Sequence, residues 1–179
     1  DLYPIAAFSL TGYSGGGKKM IAEYEGEGRN TDLDAPREYA LSQQHKHLKE
    51  MQAITGLQRA PLFSPIVADY YSGMVVSVPI HTEFLLKHKT PAALAKYFAD
   101  YYKGEKFISV AQNTENLYGG MLAGNTLSGW DGLKIYVTGN DERVMVSAQF
   151  DNLGKGASGA AVQCLNILLG CDEAKGLVL

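Results

Sequence analysis

The chain contains no apolar run approaching the roughly 18 residues of a membrane-spanning helix, and its opening, Asp1-Leu2-Tyr3-Pro4, lacks the basic start of a secretory signal peptide. A cytoplasmic location is expected. It contains no block of like charge either: sixteen basic side chains stand against nineteen acidic ones, for a formal net charge of −3. That balance offers no electrostatic footprint for a phosphate backbone or an anionic bilayer. Nucleic acid and membrane are therefore excluded as partners, and small molecules or protein are expected instead. Cysteine is scarce, with Cys164 and Cys171 the two present. Their spacing fits no metal motif, so both read as reduced, structural thiols and no metal is expected. Internal repeats, low-complexity linkers and an initiating methionine are all missing, and the last of these leads us to expect a part of a longer protein.

What is present is enough to build a core. At 179 residues, 46% of them apolar, the chain fits one globular domain. The clearest helix signal is Thr90-Pro91, an N-cap followed by proline at the first helical position. Behind it Leu94, Tyr97, Phe98 and Tyr101 form an i, i+3, i+4, i+7 stripe, predicting a helix over 90–102 that packs on a sheet. Strands are predicted over 5–10, 73–81, 106–111, 132–138 and 143–151. In the last, Val144, Val146, Ala148 and Phe150 share a face, and Gly139-Asn140-Asp141-Glu142 before it is hairpin chemistry. Strands joined by hairpins and long crossings, with helices between, predict an α+β layer.

Three segments carry candidate chemistry. Residues 12–18, Gly-Tyr-Ser-Gly-Gly-Gly-Lys, have the glycine and lysine spacing of a phosphate-binding P-loop. Lys19, however, stands where that loop needs a hydroxyl for magnesium. The second segment is His45-Lys46-His47 with Glu50 three residues on. The order is wrong for the H-E-x-x-H zinc helix, but a histidine beside a carboxylate suits acid–base work near neutral pH. The third runs over 151–163, Asp151-Asn152-Leu153-Gly154-Lys155-Gly156 and onward, and hands a strand over to an almost wholly apolar helix. Its glycines allow close approach of backbone or ligand. A helix apolar nearly all round needs cover on several sides, which points to another domain or subunit.

Together these segments, in this order, resemble the shorter form of N-acetyl-γ-glutamyl-phosphate reductase. They are Phe8 through Lys18, Tyr39-Ala40-Leu41 leading to His45 through Met51, and Asp151 through Gln163. The resemblance covers nearly the whole chain and implies the C-terminal half only, a catalytic and dimerisation domain over 1–179. That domain is α+β and glyceraldehyde-3-phosphate-dehydrogenase-like, with a mostly antiparallel sheet and helices packed on one face. The family's NAD(P)-binding Rossmann domain and its Pro-Gly-Cys-(Tyr/Phe)-Pro-Thr nucleophile segment would lie upstream of Asp1.

The resemblance implies an arginine-biosynthesis reductase in which a cysteine outside this chain takes the acyl group of N-acetyl-glutamyl 5-phosphate. NADPH then reduces the thioester to the semialdehyde. It gives His45 the proton-donor role, with His47 second and Glu50 orienting. Thr11, Gly12, Asn152, Gly154 and Gly156 fall on the cofactor side, and Ser14, Gly15 and Lys155 on the substrate side. Lys155 also reads as a solvated loop lysine. The fragment alone is expected to be inactive, and a homo-oligomer, dimer or tetramer, is implied. Two other readings stay open, a non-catalytic ligand-binding or assembly module and a nucleotide binder working through Gly12 to Lys18.

Overall fold

Alternating apolar and polar residues from Arg143 onward produce a strand with Val144, Val146, Ala148 and Phe150 on one face and the buried polar residues Ser147 and Gln149 on the other. In the computed structural model, which describes residues 4–112 and 117–179, β7 (Arg143–Phe150) runs antiparallel to both β6 (Leu133–Gly139) and β4 (Met74–His81). Val144, Val146, Ala148 and Phe150 pair with Ile80, Val78, Val76 and Met74 and share one face, as a side-chain period of two requires. The hairpin between β6 and β7 is closed by Asn140. Its Oδ1 accepts the N–H groups of Glu142 and Arg143 at 3.0 and 2.9 Å, the local bonding that makes asparagine a turn former.

Four further strands extend this core: β1 (Ala6–Gly12), β2 (Arg37–Glu38), β3 (Leu62–Ala68) and β5 (Ile108–Val110). The sheet order is β2-β3-β1-β4-β7-β6-β5. Two pairings, β1 with β3 and β5 with β6, are parallel, and the other four are antiparallel. The expected mostly antiparallel α+β sheet is what forms. β2 and β3 were not anticipated, because Pro65 sits in the middle of β3 and proline argues against an interior strand. The structure accommodates it at the side facing the shortest strand. Pro65 O accepts Tyr39 N–H at 3.0 Å, so the missing proline N–H also faces β2, which spans two residues. Past that point Gln43 substitutes for a strand: its Nε2 donates to Phe63 O at 2.7 Å and its Oε1 accepts Phe63 N–H at 3.0 Å.

Among the described residues four α-helices complete the fold: α1 (Gly17–Glu25), α2 (His47–Thr55), α3 (Pro91–Tyr101) and α4 (Gly159–Leu168). On the face carrying Ala7, Phe63 and Val67, α2 buries Leu48 against Ala7 and Phe63. Beside it α1 buries Tyr24 with Leu33 and Val67. α3 begins as predicted, with Thr90 Oγ1 accepting Ala93 N–H at 3.2 Å, and lies against β5 and β6. Its stripe enters the core only in part. Leu94 is buried, whereas Tyr97 and Tyr101 are 42% and 68% exposed, and Tyr97 stacks on His88 at 4.8 Å. The opposite sheet face bears Phe8, Leu10, Ile66, Val75 and Ser77, which line an open groove of about 440 Å³.

Candidate active site

β1 ends at Gly12 and the chain turns through a 3₁₀ segment, Tyr13–Gly16, into α1. This is the strand–loop–helix order of a P-loop, but the backbone donors are already committed. Gly12 N–H donates to Gly73 O (3.0 Å), Tyr13 N–H to Tyr70 O (2.9 Å) and Ser14 N–H to Tyr71 O (3.0 Å), while Gly17 N–H returns to Ser14 O. A phosphate cradle needs such groups pointing at the ligand. The loop is therefore fastened to the 69–73 turn, and the expected supply of N–H donors from residues 12–14 is withdrawn. Lys18 and Lys19 are exposed. The turn is itself anchored by Asp69, which both terminal nitrogens of the Arg29 guanidinium, Nη1 and Nη2, meet, at 3.0 and 2.5 Å. The adjacent guanidinium holds the Asp69 carboxyl below its ordinary range. In the same turn burial pushes the Tyr70 phenol up to about 12.

At the end of β7 the third segment meets this loop. Asp151 is buried, its Oδ2 accepting Gly129 N–H at 2.6 Å and its Oδ1 accepting Leu153 N–H at 2.9 Å, which turns the chain as a cap does. Asn152 then spans two segments: Oδ1 accepts Gly73 N–H (2.7 Å) and Nδ2 donates to Ser14 Oγ (3.0 Å). A Cβ on Gly15 would sit 3.5 Å from Asn152 Nδ2 and 3.9 Å from Thr11 Oγ1. Thr11, Gly12, Ser14, Gly15 and Asn152 thus come together, with bare backbone at Gly15 between two polar groups. Gly154 and Gly156 make room for the protein itself. A Cβ on Gly154 would lie 2.8 Å from Asp131 Oδ1, and one on Gly156 3.1 Å from the Phe150 ring. Lys155 donates to Gln163 Oε1 at 2.6 Å and lies 4.9 Å over the Phe107 ring. It is half-buried, with its ammonium engaged by Gln163.

His45 stands where the Gln43 clamp and the burial of Leu48 place it, just before α2. Its ring packs against Phe63 (5.2 Å), Tyr39 (5.8 Å) and His47 (4.6 Å), and its Nδ1 accepts His47 N–H at 3.2 Å. Desolvation lowers its pKa, helped by His47 and Lys46. A neutral His45 whose Nδ1 is an acceptor carries its proton on Nε2. His47 pairs loosely with Glu50, at 3.9 Å, and both side chains are largely exposed.

His45 and the Asn152 cluster do not touch. His45 lies level with Phe63, whereas the glycine loop follows Gly12, which pairs with Ala68. Five strand residues separate those levels, roughly 16 Å at ordinary strand rise. The structure adds Gln43, Gly73 and Asp131 to the residues that shape the site. Only Gly73 left a signal, a glycine opening a predicted strand, and the structure explains it by a φ of +116°. Among the described residues no three His, Cys, Asp or Glu side chains are grouped to hold a metal ion. Cys164 is exposed on α4 and Cys171 lies beyond it.

The lowered His45 pKa has a sign that can be checked. The unfolded chain takes up the imidazole proton first as pH falls, so His45 contributes stability above its ordinary value, about 6.5, that is lost toward lower pH. Thermal melts at about pH 7.5 and 5.5, on either side of that value, should show a smaller drop in midpoint for His45→Gln than for the wild type. An equal drop would mean that His45 is not desolvated.

Comparison with known proteins adds three findings. The family model described as semialdehyde dehydrogenase, dimerisation domain, matches residues 1–152. The N-acetyl-gamma-glutamyl-phosphate reductase 2 of a Nostoc species is 39% identical over 98% of this chain and 57% of its own length. The N-acetyl-gamma-glutamyl-phosphate reductase of Sinorhizobium medicae is 38% identical over 94% and 56%. The chain thus spans a little over half the length of the curated relatives it matches. Among solved structures, a probable aspartate-semialdehyde dehydrogenase from Pseudomonas aeruginosa superposes with a TM-score of 0.65 at 16% identity, over 93% of this chain and 55% of that one. Aspartate semialdehyde dehydrogenase II from Vibrio cholerae, complexed with ASA, gives 0.60 at 17% identity, over 93% and 55%. Both establish a shared fold.

Proposed function

Because the chain belongs to the semialdehyde dehydrogenase dimerisation-domain family, we propose that it is the C-terminal part of a reductase of arginine biosynthesis. That enzyme converts N-acetyl-glutamyl 5-phosphate to N-acetyl-glutamate 5-semialdehyde and phosphate. The observation that carries this reading is the 38–39% identity to enzymes of that name over 94–98% of the chain. A Rossmann domain and a nucleophilic cysteine belong to the remainder of the protein. Activity is expected of the longer protein.

The residues support a division of labour. His45, neutral with its proton on Nε2, is a hydrogen-bond and proton donor for the oxygen of an acyl group held on the cysteine. Residue 5, from which the preceding segment arrives, bonds to β3 at the His45 end, with Leu62 N–H donating to Ile5 O at 2.9 Å. At the other end Thr11 and Asn152 offer a hydroxyl and an amide to the nicotinamide side of NADPH, which supplies a hydride when bound, and Gly15, expected on the substrate side, is reassigned there for its bare backbone between them. Their fit rests on the open backbone at Gly15 and on the rigidity of Asn152, held at both ends of its amide. Lys155 keeps its charge close to neutral partners, available to the substrate phosphate only if Gln163 lets go. Consumption of NADPH by the intact protein with N-acetyl-glutamyl phosphate, one phosphate released per NADPH, tests the reading. No consumption, or equal turnover with β-aspartyl phosphate, sinks it.

Two exposed faces fit the proposed assembly. On α4 and just beyond it, Leu165, Ile167, Leu168 and Leu169 are 51–82% exposed, an apolar surface for the remainder of the protein. On the open face of the sheet, Phe8 and Leu62 are 43% and 62% exposed beside the groove, a surface for a second copy. Phe8→Glu should give a monomeric mass by light scattering where the wild type is a dimer, because burying an unpaired carboxylate costs about 3 kcal/mol or more, roughly a hundredfold in dimer affinity. An unchanged mass would place the interface elsewhere.

A further inference from the structure

The segment beyond α4 is stitched down by polar contacts. Asp131 makes a two-bond bridge to it, Asp131 N–H donating to Val178 O at 2.8 Å and Val178 N–H donating to Asp131 Oδ2 at 2.9 Å. Lys106 holds the Asp172 carboxylate at 3.0 and 3.1 Å. The buried amide of Asn166 donates to Glu173 O at 3.0 Å and Lys175 O at 2.9 Å. Gln163 donates to Glu173 Oε2 at 3.1 Å while accepting from Lys155.

Gln163, through Lys155, links the tail to the turn that carries Asn152. The second oxygen of Asp131 rests directly against it: a Cβ on Gly159 would lie 2.1 Å from Asp131 Oδ1, and one on Gly154 2.8 Å from it. Gly154 opens a π-turn, Gly154–Ser158, and Gly159 opens α4. One carboxylate therefore faces the tail with one oxygen and the turn with the other. Two residues earlier Gly129 N–H holds Asp151, on the other side of Asn152. A π-turn is a strained insertion that persists where its surroundings over-determine it, and here the surroundings are Asp131 and the tail.

We propose that Asp131 is a positioning residue, and that it and residues 172–178 form a strap fixing the Asn152 turn in the geometry that receives the nicotinamide end of the cofactor. The proposal rests on the reductase reading for its consequence, though not for the strap itself. Charge at Asp131 is not required, only an acceptor for Val178 N–H, so Asp131→Asn keeps that side-chain bond while Asp131→Ala removes it and leaves the backbone bond to Val178 O in place.

Two measurements on the intact protein separate the parts. Amide hydrogen exchange over residues 153–159 should be at least tenfold faster in Asp131→Ala and close to wild type in Asp131→Asn. Equal protection in all three overturns the strap whatever the protein catalyses. In steady-state assays Asp131→Ala should raise the KM for NADPH about tenfold, with kcat and the KM for the acyl phosphate within about threefold and with rescue by Asp131→Asn. An unchanged NADPH KM alongside faster exchange overturns the positioning role. If Asp131→Ala does not fold, a protein ending at Gly176 with Asp131 intact must show the same two changes. A wild type that neither binds NADPH nor turns over sinks the reductase reading, while the exchange result still decides the strap.

Discussion

Replacing His45 by alanine in the intact protein will lower turnover by roughly 10²–10⁴-fold, the contribution of a well-placed general acid. The expectation rests on three features of the residue. Its Nδ1 is engaged by His47 N–H, so a neutral ring must present its proton from Nε2. Desolvation lowers its pKa, which keeps it neutral at physiological pH and makes it a donor that does not repel other cations. Its ring is wedged between Phe63 and Tyr39, so its direction is fixed. The helix that follows is held by Leu48 and survives the substitution, so loss of activity should come with a folded protein. A change below about threefold would transfer the role to His47 or to water.

Gly12→Ala will unfold or loosen the loop at the other end of the site. A Cβ there would sit 2.5 Å from Tyr71 O and 2.6 Å from Tyr70 O, the carbonyls that accept Ser14 and Tyr13 N–H. Both are backbone atoms and cannot swing aside, so the cost lies at or beyond the upper end of the 1–3 kcal/mol usual for overpacking. For a domain of this size that is about a 6–12 °C fall in Tm. Gly15→Ala is the matched control, since its Cβ would meet only ordinary contacts. It should leave Tm within about 2 °C, less than 1 kcal/mol, while raising the KM for NADPH, because it fills the bare backbone beside Asn152. Equal melting of both variants would show that the fastening to residues 70–73 is unimportant.

Much of this fold follows from local pattern. The alternation over Arg143 to Phe150, the Asn140 turn and the Thr90-Pro91 start are written in neighbouring residues, and each appears where period and capping chemistry put it. β3 was hidden because Pro65 breaks the local rule, and only the Tyr39 segment beside it shows why the rule does not apply. The roles of Gly154 and Gly156 were hidden for a similar reason. Their φ values lie outside the left-handed region, and what excludes a side chain is Asp131, more than twenty residues earlier, or the Phe150 ring.

The sequence by itself determined strands β1, β4, β5, β6 and β7, the helix after Thr90, the family, and the set of polar residues available for chemistry. Those depend on spacing along the chain, which a sequence displays directly. Tertiary structure decided how that set is used. It consumed the amides of the P-loop look-alike on the 69–73 turn, turned Lys155 toward Gln163, locked Asn152 between Ser14 and Gly73, and put His45 at the Phe63 level, away from the glycine loop. Each outcome depends on which distant donor meets which acceptor, and that pairing exists only once the strands are in register.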